Sequence, residues 1–407
     1  MKKKLVILGS GFGAFSLLKR INTGLYDIKI VSPRNHFLFT PLLPSTTVGT
    51  IEFRSIIEPI RNIKGTHFYQ SYCTNIDTRA KKISCYDTDT KTVYDIEYDI
   101  LVIAVGELTN TFGIPGVMEY SYFLREVSEA RKIRNKVIDC FENASLPGLT
   151  DRQKRNFLNF VVCGGGPTGV EFAAELHDFV DEEVRKKYPE LTHFINVTLI
   201  EAGDKLLGSF DERLSSYTMK NFLTQKIIVK TNSYIEQVTE MEILMNDGSK
   251  IPYGILVWAT GNIASDLINK TDLPKTKKNK IPIDKYLNAV GFDEIYVLGD
   301  CSELEINPFP VTAQTAQQHG KYLGKTLNKL AKGVKIKPFK FKDFGMLAYI
   351  GSHKALANTP QFKGSGFGAW LFWRSVYITK LVSFKNKVLV LFDWFKTFIF
   401  GRDVSNF

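Results

Sequence analysis

The chain has 407 residues, of which 44% are hydrophobic and 23% are charged, so it can form two or three domains with buried cores. It contains no run of 18 uncharged apolar residues, which argues against a membrane-spanning helix, and the spacing of its six histidines suggests no metal site. The five cysteines are scattered, which predicts reduced thiols. The net charge of +11 arises after position 320, where 16 basic residues accompany only three acidic ones.

The amino-terminal segment predicts a strand, a tight turn and a helix. Apolar Leu5–Leu8 leads into glycines at alternate positions, and such a turn lets backbone N–H groups approach a pyrophosphate at the helix N-terminus. The candidate nucleotide-binding residues here are Gly9, Gly11, Gly13 and Ala14. Because Met1–Lys4 enters the strand at once, we expect neither a secretory signal nor a long transit peptide.

The segment after the second predicted strand, Ile28–Val31, departs from the usual dinucleotide pattern. Ser32, Pro33 and Arg34 stand where an acidic residue often binds ribose, so another group holds that ribose or the adenosine lies differently. The apolar run Phe37–Pro44 contains two prolines, which argues against a regular helix or a central strand. This run, with Thr40 and Pro41, is either a buried loop covering a flat cofactor or a hydrophobic loop of the core.

The glycine pattern recurs 155 residues later, after the apolar run Phe160–Cys163. The segments Tyr98–Gly106 and Tyr253–Gly261 resemble one another at the same offset of 155. Two features that recur with their separation intact indicate two tandem copies of one dinucleotide-binding unit. The corresponding candidate residues are Gly164, Gly166, Pro167, Thr168 and Gly169 in the second loop, and Ala104, Gly106, Ala259, Thr260 and Gly261 at the later strand ends.

An acidic residue is present in the second copy, where Glu201 and Ala202 follow the predicted strand Val197–Ile200. Glu201 lies 37 residues after Gly164, against a usual spacing of about 20, because we expect the intervening helix to extend towards Lys187. A carboxylate at this position accepts hydrogen bonds from ribose hydroxyls and repels a 2′-phosphate. Glu201 therefore favours NAD(H) over NADP(H), although nearby Lys205 leaves NADPH open.

The chain from about Asp266 is expected to return to the first unit. There the strand around Ile295–Leu298 ends in Gly299 and Asp300, where a carboxylate could meet the ribityl and phosphate end of a flavin nucleotide. A helix predicted from Ala313 to Lys332 carries Gln314 and Gln318 on one face. Two amides near a helix N-terminus suit a carbonyl ligand or an anionic reduced ring, although such a pair is more commonly solvated.

The carboxyl-terminal tail, residues 362–407, interleaves aromatic residues with lysines and arginines. Gly368–Leu381 and Lys387–Phe400 each predict an amphipathic helix that is too charged to span a bilayer and suits the membrane interface. Each basic residue near an anionic surface adds about 1 kcal/mol of attraction. The alternative is a soluble helical pair that packs on the core or on a second subunit, whereas no known nucleic-acid-binding module is visible.

Together these segments resemble the type II NADH dehydrogenases, the single-subunit NADH:quinone oxidoreductases of bacterial and mitochondrial membranes. The resemblance extends over nearly the whole chain and rests on Leu8–Ala14, Val31–Asn35, Phe37–Ser45, Gly164–Glu171, Gly299–Cys301, Ala313–Gln318, Asp393-Trp394 and Gly401–Asp403. It implies an α/β fold with two tandem Rossmann-like dinucleotide-binding domains, as in glutathione reductase, and a C-terminal amphipathic membrane-anchoring region. The implied domains are residues 1–118 with 266–335 for FAD, residues 119–265 for NADH, and residues 336–407 for membrane anchoring.

The resemblance also implies the chemistry. Non-covalent FAD would bind the first unit and accept a hydride from NADH on the second unit, and two electrons would then reduce a membrane quinone to quinol without proton pumping. Gln314 and Gln318 would orient the quinone carbonyl, and the helix beginning at Ala313 would stabilise the reduced flavin. Glu175 corresponds to a family glutamate near the nicotinamide and quinone end, although a salt-bridged helix carboxylate is an equal alternative.

The resemblance further implies a peripheral protein on the cytoplasmic face of a bacterial plasma membrane or on a mitochondrial inner membrane. Its expected partners are NADH, a membrane quinone and an anionic lipid surface, and a homodimer is compatible with the sequence. We expect no nucleic-acid partner.

Two alternatives remain open, and a third, a disulfide reductase, is opposed by the sequence. Disulfide reductases of this fold need an early redox cysteine pair, and Phe39–Pro44 contains no cysteine. Sulfide:quinone oxidoreductases use cysteines beside the flavin, for which Cys140, Cys163 and Cys301 are candidates, but they do not need an NADH site such as Glu201. A membrane-docked NAD/FAD-binding scaffold would reduce quinone slowly or not at all.

Overall fold

The computed structural model describes residues 2–405, which divide into two compact units. Unit 1 comprises the chain up to Leu38 together with Ile57–Leu108 and Asn262–Lys342. Unit 2 comprises Phe39–Ile56, Thr109–Gly261 and the chain from Asp343 onwards. Both units combine a parallel sheet with helices, and the predicted α/β fold class is confirmed.

Unit 1 is built on a five-stranded parallel sheet. Its strands, in spatial order, are Ile295–Val297, Ile100–Ile103, Lys3–Leu8, Tyr26–Val31 and Thr66–Tyr69. The residues of Leu5–Leu8 are at most 1% exposed, as expected for a central strand that is covered on both faces. This burial explains why the strand appears in the sequence as an uninterrupted apolar run.

The remaining strands of unit 1 form small sheets. An antiparallel sheet contains Tyr72–Asp77, Lys82–Tyr86 and Val93–Glu97, and the strand pairs are His36–Leu38 with Ile57–Pro59, Ile281–Pro282 with Ser302–Glu303, and Glu107–Thr109 with Asn262–Ala264. The α-helices of this unit are Phe12–Leu18, Asp266–Lys270 and Ala313–Leu330, and its 3₁₀ turns are Ile60–Asn62 and Gly299–Cys301.

Two helices of unit 1 cross closely because the second carries glycines at the crossing. A Cβ on Gly320 would lie 2.1 Å from the Gly13 carbonyl oxygen, and one on Gly324 would lie 2.8 Å from that of Leu17. The helix Ala313–Leu330 therefore packs directly on the helix that follows the first glycine loop, and no side chain could be added between them.

Unit 2 repeats the same plan. Its parallel sheet has the spatial order Tyr122–Phe123, Ile255–Trp258, Asn159–Cys163, Asn196–Ile200 and Ile228–Lys230. Two antiparallel sheets contain Ile235–Val238, Glu242–Met245 and Lys250–Pro252, and then Met346–Tyr349, Ala355–Asn358 and Lys363–Gly366.

The α-helices of unit 2 are Leu43–Thr46, Val117–Tyr120, Val127–Ala144, Asp151–Phe157, Pro167–Phe179, Arg185–Lys187, Glu212–Thr224, Phe367–Lys380 and Phe384–Phe400. Thr40–Leu42, Phe53–Ile56 and Pro189–Phe194 are 3₁₀ turns, and Val180–Val184 is a π-helical turn. Among residues 2–405, no helix is both long and apolar enough to cross a membrane.

The predicted tandem repeat is confirmed by the strand order. In unit 1, the strand before the first glycine loop lies between the next strand and Ile100–Ile103; in unit 2, Asn159–Cys163 lies between Asn196–Ile200 and Ile255–Trp258. Leu8 is aligned with Val31 and Ile103, and Cys163 is aligned with Ile200 and Trp258. In both units, the strands therefore end together at the edge where the glycine loop begins.

Three local expectations need correction. The alternating stretches around Thr66–Asp87 and Thr92–Asp99 predict strands of a small antiparallel insertion, but the strand Thr66–Tyr69 instead joins the parallel sheet of unit 1. The proline-containing run adopts a 3₁₀ turn, Thr40–Leu42, and one helical turn, Leu43–Thr46, because proline is tolerated in the first turn of a helix. The long helix after the second glycine loop reaches Lys187 as expected, but it passes through the π-helical turn Val180–Val184.

Candidate functional site

The first glycine loop packs backbone against backbone. The Gly9 N–H donates to the Val31 carbonyl oxygen at 2.8 Å, and Gly9 has φ +105°. A Cβ on Gly9 would lie 2.3 Å from the Ala104 carbonyl oxygen, and one on Gly13 would lie 3.2 Å from Cβ of Leu298. The loop therefore requires glycine both for its conformation and for its close approach to the neighbouring strand.

A cation accompanies this loop instead of the ribose-binding carboxylate. The Arg34 Nε donates to the His36 carbonyl oxygen at 3.0 Å, and an Nη atom of Arg34 lies 4.0 Å from the position a Gly11 Cβ would occupy. The hydroxyls of Ser10 and Ser32 are hydrogen-bonded at 3.0 Å. Burial, assisted by the Arg34 charge, lowers the pKa of His36 to about 4, so His36 is neutral and Arg34 supplies the positive charge.

The turn that carries Asp300 is held by residues that the sequence reasoning missed. Lys280 and Glu107 form an ion pair at 2.8 Å, with each side chain 7% exposed, and Lys280 Nζ also donates to the Asp300 carbonyl oxygen at 2.9 Å. The Gly299 N–H donates to His319 Nδ1 at 3.2 Å. Burial lowers the pKa of His319 to about 4, which keeps the ring neutral and able to accept that bond.

The helix Ala313–Leu330 begins at Thr312, whose side chain accepts a hydrogen bond from the Thr315 N–H. The Gln318 Nε2 donates to the Lys342 carbonyl oxygen at 2.8 Å, and the Lys342 N–H donates to Gln318 Oε1 at 3.0 Å. The Gln318 amide thus binds the chain's own backbone, and its second N–H is the group left for a ligand. Gln314 is half-buried one helical turn earlier.

The second glycine loop has the same construction. Gly164 has φ +117°, and a Cβ there would lie 2.9 Å from the Ala259 carbonyl oxygen. A Cβ on Gly169 would lie 1.9 Å from the Gly164 carbonyl oxygen, whereas the space beside Gly166 is open. The helix Pro167–Phe179 starts there without a side-chain cap, so its first N–H groups are available to an anion.

The Glu201 carboxyl group accepts hydrogen bonds from two backbone N–H groups, one in the glycine loop and one in the turn after its own strand. Its Oε2 accepts from the Gly165 N–H at 2.6 Å, and its Oε1 accepts from the Gly203 N–H at 2.6 Å. Each carboxylate oxygen keeps a second lone pair that can accept a hydrogen bond. Lys205 is paired with Glu212 at 2.5 Å, and this ion pair opposes its use as a phosphate ligand.

Glu175 lies in the interior of unit 2 and is 3% exposed. The Ser45 hydroxyl donates to its Oε1 at 2.6 Å, the Thr50 hydroxyl donates to its Oε2 at 2.7 Å, and Arg402 Nη2 lies 3.8 Å from Oε2. Burial raises the pKa of this carboxyl, while the Arg402 charge and the two hydroxyl donors oppose the rise. Glu175 is therefore a buried carboxyl group with an arginine partner, an arrangement that both interpretations of this residue allow.

Two further carboxyl groups share this face of the helix, at i, i+4 and i+7 with Glu175. Glu171 Oε1 accepts from the Tyr349 N–H at 3.1 Å, and Asp178 Oδ1 accepts from the Ser352 N–H at 2.9 Å. Burial raises the pKa of Glu171 to about 8. The helical spacing of these acids was a signal in the sequence, but it did not reveal that all three are buried.

The two C-terminal helices have one packed face and one exposed apolar face. Arg374 lies between the rings of Trp370 and Trp394, 4.1 and 4.4 Å from their centroids, and Asp393 accepts a hydrogen bond from the Ser55 hydroxyl at 2.5 Å. The exposed apolar side chains of these two helices are Phe367, Leu371, Phe372, Phe384, Val388, Leu391, Phe392, Phe395, Phe398, Ile399 and Phe400. The two helices therefore pack through one face on the rest of unit 2 and present on the other face the apolar surface that an interfacial helix needs.

The cysteines considered for sulfide chemistry lie in apolar interiors. Cys140, Cys163 and Cys301 are at most 8% exposed, and burial raises the pKa of each thiol to about 12. The nucleophilic form of cysteine is the thiolate, so these residues are poor candidates for attack on a sulfur substrate.

Comparison with known families assigns the class. Residues 3–320 match the family model of the pyridine nucleotide-disulphide oxidoreductases, and residues 344–403 match that of the NDH2 C-terminal domain. These matches, with two glycine loops on two parallel sheets, define an oxidoreductase that binds dinucleotides.

Individual relatives narrow the assignment. The chain is 41% identical to a probable NADH dehydrogenase of Dictyostelium discoideum, over 100% of this chain and 91% of the relative. It is also 41% identical to an internal alternative NAD(P)H-ubiquinone oxidoreductase A1, mitochondrial, of Solanum tuberosum, over 99% and 88% of the two chains. The solved structure of NDH2 from Plasmodium falciparum in complex with NADH matches with a TM-score of 0.94 and 31% identity over 100% of both chains.

The chain therefore belongs to the type II NADH dehydrogenases, or NDH2. A sulfide:quinone oxidoreductase from Aquifex aeolicus shares the fold, with a TM-score of 0.73 at 17% identity, over 98% of this chain and 96% of that one. At that identity, the likeness describes the fold alone.

Proposed function

We propose that this chain oxidises NADH and reduces a quinone to quinol by two electrons, without pumping protons. The observation that carries this proposal is the pair of repeated dinucleotide-binding units joined to an NDH2 C-terminal domain. FAD, when bound, would accept a hydride from NADH and pass two electrons to the quinone, which takes up two protons to become quinol. The activity is that of an NADH:quinone oxidoreductase, which feeds electrons into a respiratory chain.

FAD fits unit 1, because the loop that would hold it contains glycines, whose lack of a side chain lets the backbone approach a ligand closely. Gly9 leaves no room for a Cβ, a Cβ on Gly13 would press on Leu298, and Arg34 adds a positive charge near Gly11. We assign FAD binding in unit 1 to Gly9, Gly11, Gly13, Ala14, Ser32, Pro33, Arg34, Ala104, Gly106, Asp300 and Ala313. Thr40 and Pro41, which the sequence predicts with them, belong to unit 2. The corresponding proposed domain is residues 1–118 with 266–335.

NADH is assigned to unit 2 on the same reasoning. The Gly166 side of the loop is open, and the helix that begins at Pro167 directs N–H groups towards a pyrophosphate. Glu201, oriented by two backbone N–H donors, would accept hydrogen bonds from the ribose hydroxyls. The proposed NADH-binding residues are Gly164, Gly166, Pro167, Thr168, Gly169, Glu201, Ala202, Ala259, Thr260 and Gly261, within residues 119–265.

Three side chains are assigned to the reaction itself. Gln314 and Gln318 would orient the quinone carbonyl, with Gln318 doing so through the N–H that Lys342 leaves available. Glu175 would act through its charge or its proton, because it is the buried carboxylate that two hydroxyls and Arg402 hold in place.

The proposed membrane-anchoring domain, residues 336–407, is assigned to docking on an anionic membrane surface through its tail, residues 362–407. Its exposed phenylalanines can insert into the apolar part of the membrane interface, and its lysines can bind anionic lipid headgroups, as in other interfacial helices. The names of the plant relatives place those proteins in mitochondria. We propose a peripheral site on a mitochondrial inner membrane, with the cytoplasmic face of a bacterial plasma membrane as the alternative, and a homodimer to be tested by sedimentation.

The test is anaerobic mixing of the purified FAD-loaded protein with NADH, followed by a short-chain quinone. We expect the yellow flavin absorbance to bleach with NADH and to recover with quinone. Bleaching by sulfide but not by NADH would establish the sulfide:quinone reaction instead. Failure of both donors, with FAD bound, would indicate a non-catalytic scaffold.

A further inference from the structure

The C-terminal end of unit 2 brings an arginine to the carboxyl groups of the long helix. Gly401 has φ +77°, a backbone conformation that favours glycine, and a Cβ there would lie 2.5 Å from Glu183 Oε1, so the chain passes close to the end of this side chain. Arg402 follows and is 6% exposed. Its N–H donates to Glu183 Oε1 at 2.9 Å, and Lys187 Nζ donates to its carbonyl oxygen at 3.1 Å.

The Arg402 side chain then reaches Glu175 through a hydroxyl. Its Nη1 donates to Glu182 Oε2 at 2.6 Å, and its Nε donates to Thr50 Oγ1 at 2.9 Å. A guanidinium can only donate, so the Thr50 oxygen accepts from Arg402 and its single proton is directed to Glu175 Oε2 at 2.7 Å. The π-helical turn Val180–Val184 presents both Glu182 and Glu183 to the same arginine.

Other ionisable groups also influence Glu175 from the elements packed around it. Those with an electrostatic interaction with its carboxylate are Glu171, Asp178, Tyr349, Arg374 and Arg402. Arg402 is the member that also orients a hydroxyl donor towards the carboxylate. Its loss would therefore remove a positive charge and free the Thr50 proton to turn away.

We propose that Arg402 is a positioning residue for the quinone reductase reaction, which acts by holding Glu175 in its anionic, hydrogen-bonded form through Thr50. The inference rests on the role proposed above for Glu175. The extreme C-terminal segment of the chain thus contributes to the reaction in addition to any part it takes in membrane docking.

The experiment compares full-length, FAD-loaded variants with NADH and a short-chain quinone, with kcat measured from about pH 5 to about pH 9. In the plot of kcat against pH, one limb should follow the ionisation of the Glu175 carboxyl. Glu175→Gln identifies this limb, because it should be missing from the profile of that variant. In Arg402→Met the same limb moves to higher pH, so that kcat at the wild-type midpoint changes about three- to tenfold. Arg402→Lys restores most of the wild-type profile.

A control variant and a double variant separate positioning from folding. Lys396→Met also removes one positive charge from the tail, where Lys396 pairs with Glu52 at 2.8 Å, and it leaves the limb in place. Arg402→Met added to Glu175→Gln has no further effect on kcat, because the two residues act as one unit. Should Arg402→Met fold poorly, Thr50→Val removes the bridging hydroxyl and shifts the limb in the same direction.

Three results would overturn the inference while leaving the proposed function intact. These are an Arg402→Met profile lowered equally at every pH, additive effects in the double variant, and a Glu175→Gln variant that retains both limbs. The proposed function fails separately, if wild-type flavin does not bleach with NADH and recover with quinone.

Discussion

Replacing Glu201 by glutamine tests the NADH site with little change in shape. The Gly165 and Gly203 N–H groups donate to different oxygens of this carboxylate, each at 2.6 Å. An amide has one oxygen and one NH₂ group, so in either orientation its NH₂ meets a backbone N–H donor. The variant loses one charge-assisted hydrogen bond and places two donors against each other beside the glycine loop.

The bonds to Gly165 and Gly203 are present with and without NADH, so the size of the effect on binding follows from the hydrogen bond that the carboxylate would accept from a ribose hydroxyl. A hydrogen bond to a charged group contributes about 1.5–3 kcal/mol, and about 1.4 kcal/mol corresponds to a tenfold change in affinity. We therefore expect the KM for NADH to rise about 10- to 100-fold in Glu201→Gln. The bleaching rate at saturating NADH should stay within roughly threefold, because the substitution affects binding of the nucleotide in the ground and transition states alike.

Stopped-flow measurement of flavin bleaching against NADH concentration gives both quantities. Glu212→Gln is the matched control, because it removes a carboxylate of the same unit whose side chain is 70% exposed and pairs with Lys205. Preference for NADH over NADPH should also fall in Glu201→Gln, since the repulsion of a 2′-phosphate is lost. An unchanged KM for NADH would refute the assignment of Glu201 to the ribose.

Three further predictions address the other parts of the chain. Gln318→Leu removes two hydrogen bonds with the Lys342 backbone and should slow flavin recovery by quinone about three- to tenfold while NADH still bleaches at the wild-type rate; slower bleaching would contradict this division. Phe398→Ser with Phe400→Ser, at positions 86% and 80% exposed, should weaken binding to anionic vesicles in a flotation assay without lowering the thermal midpoint, and equal binding would contradict the docking proposal. Burial raises the pKa of Glu171 from 4.5 to about 8, so between these two pH values the folded protein keeps a proton that the unfolded chain releases, and the protein loses stability as pH rises. The thermal midpoint of the wild type should therefore fall more than that of Glu171→Gln between pH 4.5 and 8. Parallel curves for the two proteins would contradict the burial argument.

The sequence alone was sufficient for the architecture of the two units. Apolar runs of four or five residues followed by glycines are a local signal, because a buried parallel strand excludes polar side chains and the tight turn excludes Cβ atoms. The repeat offset of 155 residues then related the two sheets, and the strand orders agree with it. The resemblance to the NDH2 family, based on contiguous motifs, was likewise available before any coordinates.

Tertiary structure alone decided which polar groups meet inside the protein. Thr50, Glu175 and Arg402 are joined by hydrogen bonds and charge, although they are separated by 125 and 227 residues in the chain. Lys280 likewise reaches Glu107 and Asp300 from a lysine-rich stretch that looks solvated. A local sequence pattern shows whether a side chain is polar. Which carboxyl groups are buried, and which cations they meet, depends on how distant segments of the chain pack together.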